Sequence, residues 1–171
     1  MEFEQYGGYA KLGYEMTGNW NLRGDINITH FNASYPGPTT APLLDGDQRI
    51  TRGVTSFAIE NNYEQTSGGL SFFYNWGKHW INDGYTPSKE EKPQDGRFNS
   101  RDNMMGVSLY QSMQFFKGNR ITAGVDWFRY GGKAWNKYVS GEHIGTTSDL
   151  VNKHENCLLY TSPSPRDMRR S

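Results

Sequence analysis

In a chain of 171 residues only 35% are hydrophobic while 15% are aromatic, and the mean hydropathy is -0.83. Basic and acidic residues balance at 18 each, which leaves no electrostatic case for a nucleic-acid partner. One cysteine, Cys157, excludes an internal disulfide, no Cys/His spacing suggests zinc, and no stretch approaches the ~18 to 20 consecutive apolar residues of a membrane helix. The opening Met1-Glu2-Phe3-Glu4-Gln5 lacks a basic region followed by an apolar one, so a secretory signal is expected only upstream of this sequence.

The first organised stretch is a hairpin from Gln5 to Thr29, turning at Thr17-Gly18. Tyr6, Gly8, Ala10, Leu12, Tyr14 and Met16 alternate with Gln5, Lys11 and Glu15; Trp20, Leu22, Gly24, Ile26 and Ile28 alternate with Asn21, Arg23, Asp25 and Asn27. A period of two belongs to strands, whose successive side chains point to opposite faces. Ser34 to Gln48 reads as a long loop, because Tyr35-Pro36-Gly37-Pro38 and Asp45-Gly46-Asp47 break both periodicities. A third strand is expected from about Ile50 to Tyr63, with Phe57, Ile59 and Tyr63 against Arg52, Ser56 and Glu60. After a turn at Gln65-Thr66-Ser67, a fourth from Gly68 to about Gly77 sets Leu70, Phe72, Tyr74 and Trp76 on one face. Lys78 to Arg101 reads as a second long loop. The fifth strand, near Asn103 to Phe116, and the sixth, Asn119 to Tyr130, turn at Lys117-Gly118 and carry Met105, Val107, Leu109, Ile121, Val125 and Trp127 on their apolar faces. Beyond Gly131 the alternation fades into a third long region with room for the start of another strand.

Short turns alternating with long loops, joined by strands of ~9 to 11 residues, describe an outer-membrane barrel; soluble sandwich strands are usually nearer ~5 or 6. Aromatic placement agrees. Tyr14, Trp20, Tyr63 and Phe115 lie by the tight turns and Trp76 and Trp127 towards the long loops, as amphipathic rings do at two headgroup levels. Lys11, Glu15, Arg23, Asp25, Arg52 and Glu60 would then face a hydrated lumen. The expected fold class is all-β: an antiparallel up-and-down meander forming a partial transmembrane β-barrel of about six strands, too few to close and therefore part of something larger.

Three phrases sharpen this. Asn19-Trp20-Asn21-Leu22-Arg23-Gly24-Asp25 with His30-Phe31-Asn32, Asp47-Gln48-Arg49-Ile50-Thr51-Arg52-Gly53, and Leu70-Ser71-Phe72-Phe73-Tyr74-Asn75-Trp76-Gly77 resemble the barrel of TonB-dependent outer-membrane receptors of the Bacteroidetes type, over roughly Gln5 to Trp135. The resemblance implies a bacterial outer-membrane location and a plugged transporter of ~22 strands. It further implies uptake of a scarce small-molecule ligand such as an iron chelate (siderophore) or cobalamin, driven through the TonB complex. Its TonB box and plug domain are absent from these residues. Separately, Cys157 to Asp167 resembles the translation of a sequencing-library adapter found at the ends of metagenomic assemblies. On that reading residues 1–156 are the barrel segment of a fragment, and residues 157–171 a non-native disordered tail.

No catalytic constellation is legible, so the chain is expected not to be an enzyme, and no cofactor is assigned. His79 and Asp83 lack an orienting partner. Asp45-Gly46-Asp47 is too short for a calcium loop, and the glycosylation patterns at Asn27 and Asn32 do not suit a strand or a bacterial host. The candidate ligand contacts are Tyr35, Trp80, Tyr85, Trp135, Tyr138 and His143, aromatics that would stack on a chelate or corrin from loops, and a histidine that would meet a metal complex. Lys11, Arg23 and Arg52 are the lumen cations that would guide an anion. The alternatives are another large outer-membrane barrel, such as a porin or fatty-acid channel, and a soluble β-sandwich or barrel serving as a carbohydrate-binding module or enzyme.

Overall fold

A computed structural model describes residues 2–161. Seven strands follow one another: β1 (Phe3–Thr17), β2 (Trp20–Ser34), β3 (Leu44–Asn62), β4 (Thr66–Tyr85), β5 (Gly96–Met113), β6 (Ile121–Tyr138) and β7 (Thr147–Thr161). They form one antiparallel sheet in sequence order, so every connection is a hairpin between neighbours. The other regular element is a single 3-10 turn at Pro87–Lys89. The all-β, up-and-down meander is therefore what the chain forms, as one open sheet whose outer edges belong to β1 and β7.

The strands exceed the expected lengths, at the same end each time. β3 starts at Leu44, β4 runs on to Tyr85, β5 begins at Gly96 and β6 continues to Tyr138. Most of the region 78–101 expected as a loop is thus paired backbone, for instance Lys78 with Arg101 and Trp80 with Asn99. The physical reason is that both faces of the sheet are polar there. Alternation disappears, whereas the ladder of backbone hydrogen bonds needs no particular side chain. The seventh strand was hidden in the same way, because Asp149 to Glu155 is largely polar. Its last residues, Cys157 to Thr161, pair with Phe128 to Gly124, so the tail expected to be disordered from residue 157 is β-strand up to 161. Residues 162–171 lie outside the described residues. The connections 18–19, 63–65 and 114–120 gather at one end of the sheet, and 35–43, 86–95 and 139–146 at the other.

Cross-strand pairing fixes the faces. Leu22, Ile59, Leu70, Leu109 and Val125 are successive partners in one row, and Gly24, Phe57, Phe72, Val107, Trp127 and Leu158 in the next. With Tyr14 and Leu12 of β1, the partners of Leu22 and Gly24, these rows make a continuous apolar band on one face, about 29 Å wide at strand spacings of ~4.8 Å. Among the described residues nothing covers it. Leu12 is 73% exposed, Phe57 46% and Leu109 49%, and the one buried hydrophobic residue among those described is Ala58. The accessible surface of 12544 Å² stands well above the roughly 8,600 Å² that a compact soluble fold of 19.6 kDa would leave.

The band also slants. Ile28, Gly53, Trp76, Asn103, Gly131 and His154 form one row, yet the uninterrupted apolar run ends towards the long connections at Ile28 on β2, Trp76 on β4, Met105 on β5, Trp127 on β6 and Leu158 on β7, with Trp80 and Trp135 beyond it among cations. From β2 to β7 the boundary falls by two rows, about 13 Å along the strands over about 24 Å of sheet, a slope of roughly 30°. All five tryptophans, Trp20, Trp76, Trp80, Trp127 and Trp135, lie on this apolar face. Trp20 Nε1 donates to the Tyr63 hydroxyl at 2.8 Å, tying together two of the rings expected near the short turns.

Candidate functional site

The opposite face carries the charged residues singled out in the sequence. Lys11 is the direct partner of Asp25, Glu15 of Asn21, and Glu60 of Asn21 on the other side, while Arg23 Nη2 meets Glu60 Oε1 at 2.7 Å. Register puts Lys11, Glu15, Arg23, Asp25, Arg52 and Glu60 together on this polar face. The Ser56 hydroxyl donates to the Asp25 carboxylate, and Ser108 to Asp126 in the same manner two strands further on. Arg52 on β3 reaches past β4 to Asp102 on β5, at 3.3 Å, and its Nη2 lies 3.3 Å from His79 Nε2. It passes over Gly77, where an added Cβ would strike the Asp102 carboxylate. Phe73 and Phe128 likewise meet over Gly106, with ring centroids 5.9 Å apart. A depression of about 260 Å³ among Lys11, Arg23, Asp25, Ser56, Ser71 and Phe73 shows that this face is not packed solid. Its chemistry is that of exposed charge paired with opposite charge.

Asp102 and Asp126 were not among the sequence candidates. Their signal was available, since counting by twos from Gly106 and Gly124, across from the apolar set, reaches both.

The six expected loop residues separate. Tyr35 lies in the connection 35–43, half-buried, with its hydroxyl donating to the Asn82 carbonyl at 3.1 Å. Burial, then the carboxylates of Asp83 and Asp47, raise its phenol above the ordinary value of 10.0. His143 lies in 139–146 and is exposed; its ring meets Tyr138 edge-on at 5.8 Å. The other four are strand residues, which corrects the loop assignment: Tyr85 and Tyr138 end β4 and β6, while Trp80 and Trp135 lie within those strands. The same cause operates as for the strand lengths, because the ladder outlasts the alternation. Trp80 and Trp135 occupy one row on the apolar face, separated by Asn99. The Arg49 guanidinium sits 4.8 Å from the Trp80 ring centre, and Arg101 and Lys133 each sit 5.9 Å from that of Trp135. The six therefore do not converge on one pocket.

Among the described residues no three His, Cys, Asp or Glu side chains come together as a metal site, and no helix is long and apolar enough to cross a membrane, which does not bear on a β-barrel. Cys157 is a free thiol on β7. Neither a protein-family model, nor a curated protein, nor a solved structure matches the chain.

Proposed function

We propose that this chain is a segment of a bacterial outer-membrane β-barrel, and specifically of a TonB-dependent transporter for a scarce ligand such as an iron chelate or cobalamin. The observation that carries the membrane part is the slanted, uncovered apolar band. Its slope of roughly 30° approaches the ~35–45° tilt of barrel strands. From Gly53 on β3 to Tyr63 just past its end it spans ten residue steps, about 33 Å of strand and roughly 23 to 29 Å at tilts of about 30–45°, against ~25 Å for the apolar belt of an outer-membrane protein. At about 29 Å by 25 Å the band covers roughly 700 Å², above the ~300–600 Å² largest patch of typical soluble monomers. Lipid is the solvent that removes it from water.

On this reading the polar face lines the lumen, and Lys11, Arg23, Arg52 and their carboxylate partners meet water, a plug or a passing ligand. The outer edges of β1 and β7 support further strands in the complete barrel, since each unsatisfied backbone group in hydrocarbon costs several kcal/mol. The transporter part rests on the resemblance of the Asn19–Asp25, Asp47–Gly53 and Leu70–Gly77 phrases.

Two observations test the two parts. If the membrane part is right, the expressed chain requires detergent or lipid to stay dispersed; a soluble monomer in plain buffer contradicts it. For the transporter part, the source reading frame upstream of Met1 should encode a globular plug, and a signal peptide directly before β1 would instead make the chain part of an unplugged barrel such as a porin.

A further inference from the structure

Beyond the slanted edge of the apolar band the same face turns basic. Arg49 on β3, Lys78 on β4, Arg101 on β5, and Arg129 and Lys133 on β6 all lie on it, between the band and the long connections. Lys78, Arg101 and Lys133 are direct partners across three adjacent strands. Like charges placed opposite one another are unfavourable unless something neutralises them. Carboxylates do so only at the margins: Asp149 lies 3.0 Å from Lys133 and Asp47 lies 3.3 Å from Arg49. Among the described residues Lys78 and Arg101, both exposed, form no salt bridge. At the short-turn end of this face the corresponding strand positions, Tyr14, Met16, Trp20, Asn61, Gln111, Met113 and Ile121, carry no charge.

The central pair also borders a cavity. A groove of about 290 Å³ is lined by Tyr74, Trp76, Gly77, Lys78, Arg101, Asp102 and Asn103. Aromatic rings, with Asn103 opposite Trp76, lie at its apolar end and the Lys78–Arg101 pair at the other. We propose that this groove and its flanking cations bind the phosphate of an anionic lipid headgroup, with the acyl chains lying along the apolar band. The inference rests on the membrane reading, because it is the hydrocarbon against Tyr74 and Trp76 that distinguishes a lipid from a free anion. Arg101 supplies a planar fork of donors for phosphate oxygens, Lys78 a point charge, and the Trp80 and Trp135 rings, already stacked under Arg49, Arg101 and Lys133, hold the belt of cations at headgroup level. The short-turn strand positions of this face carry no cation, and Lys117 and Arg120 lie beyond the strands in the connection 114–120, so the belt on the face itself belongs to the leaflet that meets the long connections.

The test uses the complete barrel encoded by the source reading frame, refolded in vesicles of phosphatidylcholine, and measures retention of a fluorescent phosphatidic acid added at low mole fraction. Phosphatidic acid should be enriched around the chain over labelled phosphatidylcholine. Lys78→Gln with Arg101→Gln should weaken that enrichment by tenfold or more, at about fivefold per charge near an anionic surface. Lys117→Gln with Arg120→Gln, at the opposite end of the strands, should leave it unchanged, and the charge-preserving Lys78→Arg with Arg101→Lys should retain most of it while controlling for folding. Inorganic phosphate at the same concentration should not displace the lipid. Unaltered enrichment in the Lys78/Arg101 glutamine variant, or displacement by inorganic phosphate, overturns the proposal while the membrane reading stands. Failure of the complete barrel to enter phosphatidylcholine vesicles at all overturns both.

Discussion

Ile26 and Asn27 are neighbours at one depth in β2 but on opposite faces, so exchanging each for arginine isolates what the face contributes. Ile26 is 45% exposed on the apolar face, opposite Ala10 and Thr55 and flanked along its strand by Gly24 and Ile28. On β2 the band runs from Trp20 to Ile28, and Ile26 lies between its middle at Gly24 and its Ile28 edge. An arginine facing lipid costs ~2 to 4 kcal/mol at the midplane and ~0 to 1 near the interfaces, so about 1 to 3 kcal/mol is expected here, about one to two orders of magnitude in the folding equilibrium at roughly 1.4 kcal/mol per decade. Asn27 faces the polar side between Tyr9 and Val54, and its one side-chain contact, from the Thr29 hydroxyl, is a long 3.5 Å. Replacing it should cost below about 1 kcal/mol. Urea-titrated folding of the complete barrel into phospholipid vesicles, followed by circular dichroism, measures both. Equal destabilisation by Ile26→Arg and Asn27→Arg, or the reverse order, would refute the assignment of faces.

Three further outcomes follow from the geometry. A side chain at Gly106 meets both Phe73 and Phe128, the latter 2.6 Å from the new Cβ, so Gly106→Val should lose about 1 to 3 kcal/mol by overpacking; an unchanged urea midpoint would show that this face has more room than the two rings allow. The Arg23–Glu60 pair is short but 58% and 34% exposed, so a double-mutant cycle should return no more than about 1 kcal/mol, shrinking with salt, and a larger, salt-insensitive coupling would mean that the polar face is not hydrated. Tyr35 should ionise above 10.0, because burial first and Asp83 and Asp47 second favour its neutral form. The stability this represents is fully present below the unfolded value and disappears as pH rises through the raised one. The difference titration between the chain and its Tyr35→Phe variant reads it directly, and a midpoint at or below the ordinary value would contradict the packing of 35–43 against β4.

What the sequence made legible was the part of each strand where the two faces meet different surroundings. Leu70, Phe72, Tyr74 and Trp76 announce a strand because Ser71, Asn75 and Gly77 interrupt them; Lys78 to Tyr85 announces nothing, although its backbone pairs equally well. The hairpin order, the faces and the meander could therefore be read, while strand extents and β7 could not. The same blindness scattered the candidate site. Continuing the parity of Trp76 by two and four residues reaches Lys78 and Trp80, and continuing that of Trp127 reaches Arg129, Lys133 and Trp135. The basic and aromatic belt was thus encoded as a phase that persists after the hydrophobicity carrying it has ended. Contacts that skip a strand, Arg52 to Asp102 above all, had no local signature, since they depend on the register of three strands at once.

That one face of the sheet lies against hydrocarbon is tested most directly by the five tryptophans, all of which are on it. In the complete barrel, placed in vesicles of brominated lipid, bromine near the headgroups should quench Trp20, Trp76, Trp80, Trp127 and Trp135, all at or beyond the edges of the band and each resolved by single Trp→Phe variants, while bromine near the centre of the acyl chains should quench most strongly a tryptophan placed mid-band by Phe72→Trp. Fluorescence that no depth of bromine affects, in a chain that circular dichroism shows to be β-sheet, would contradict a lipid-facing band.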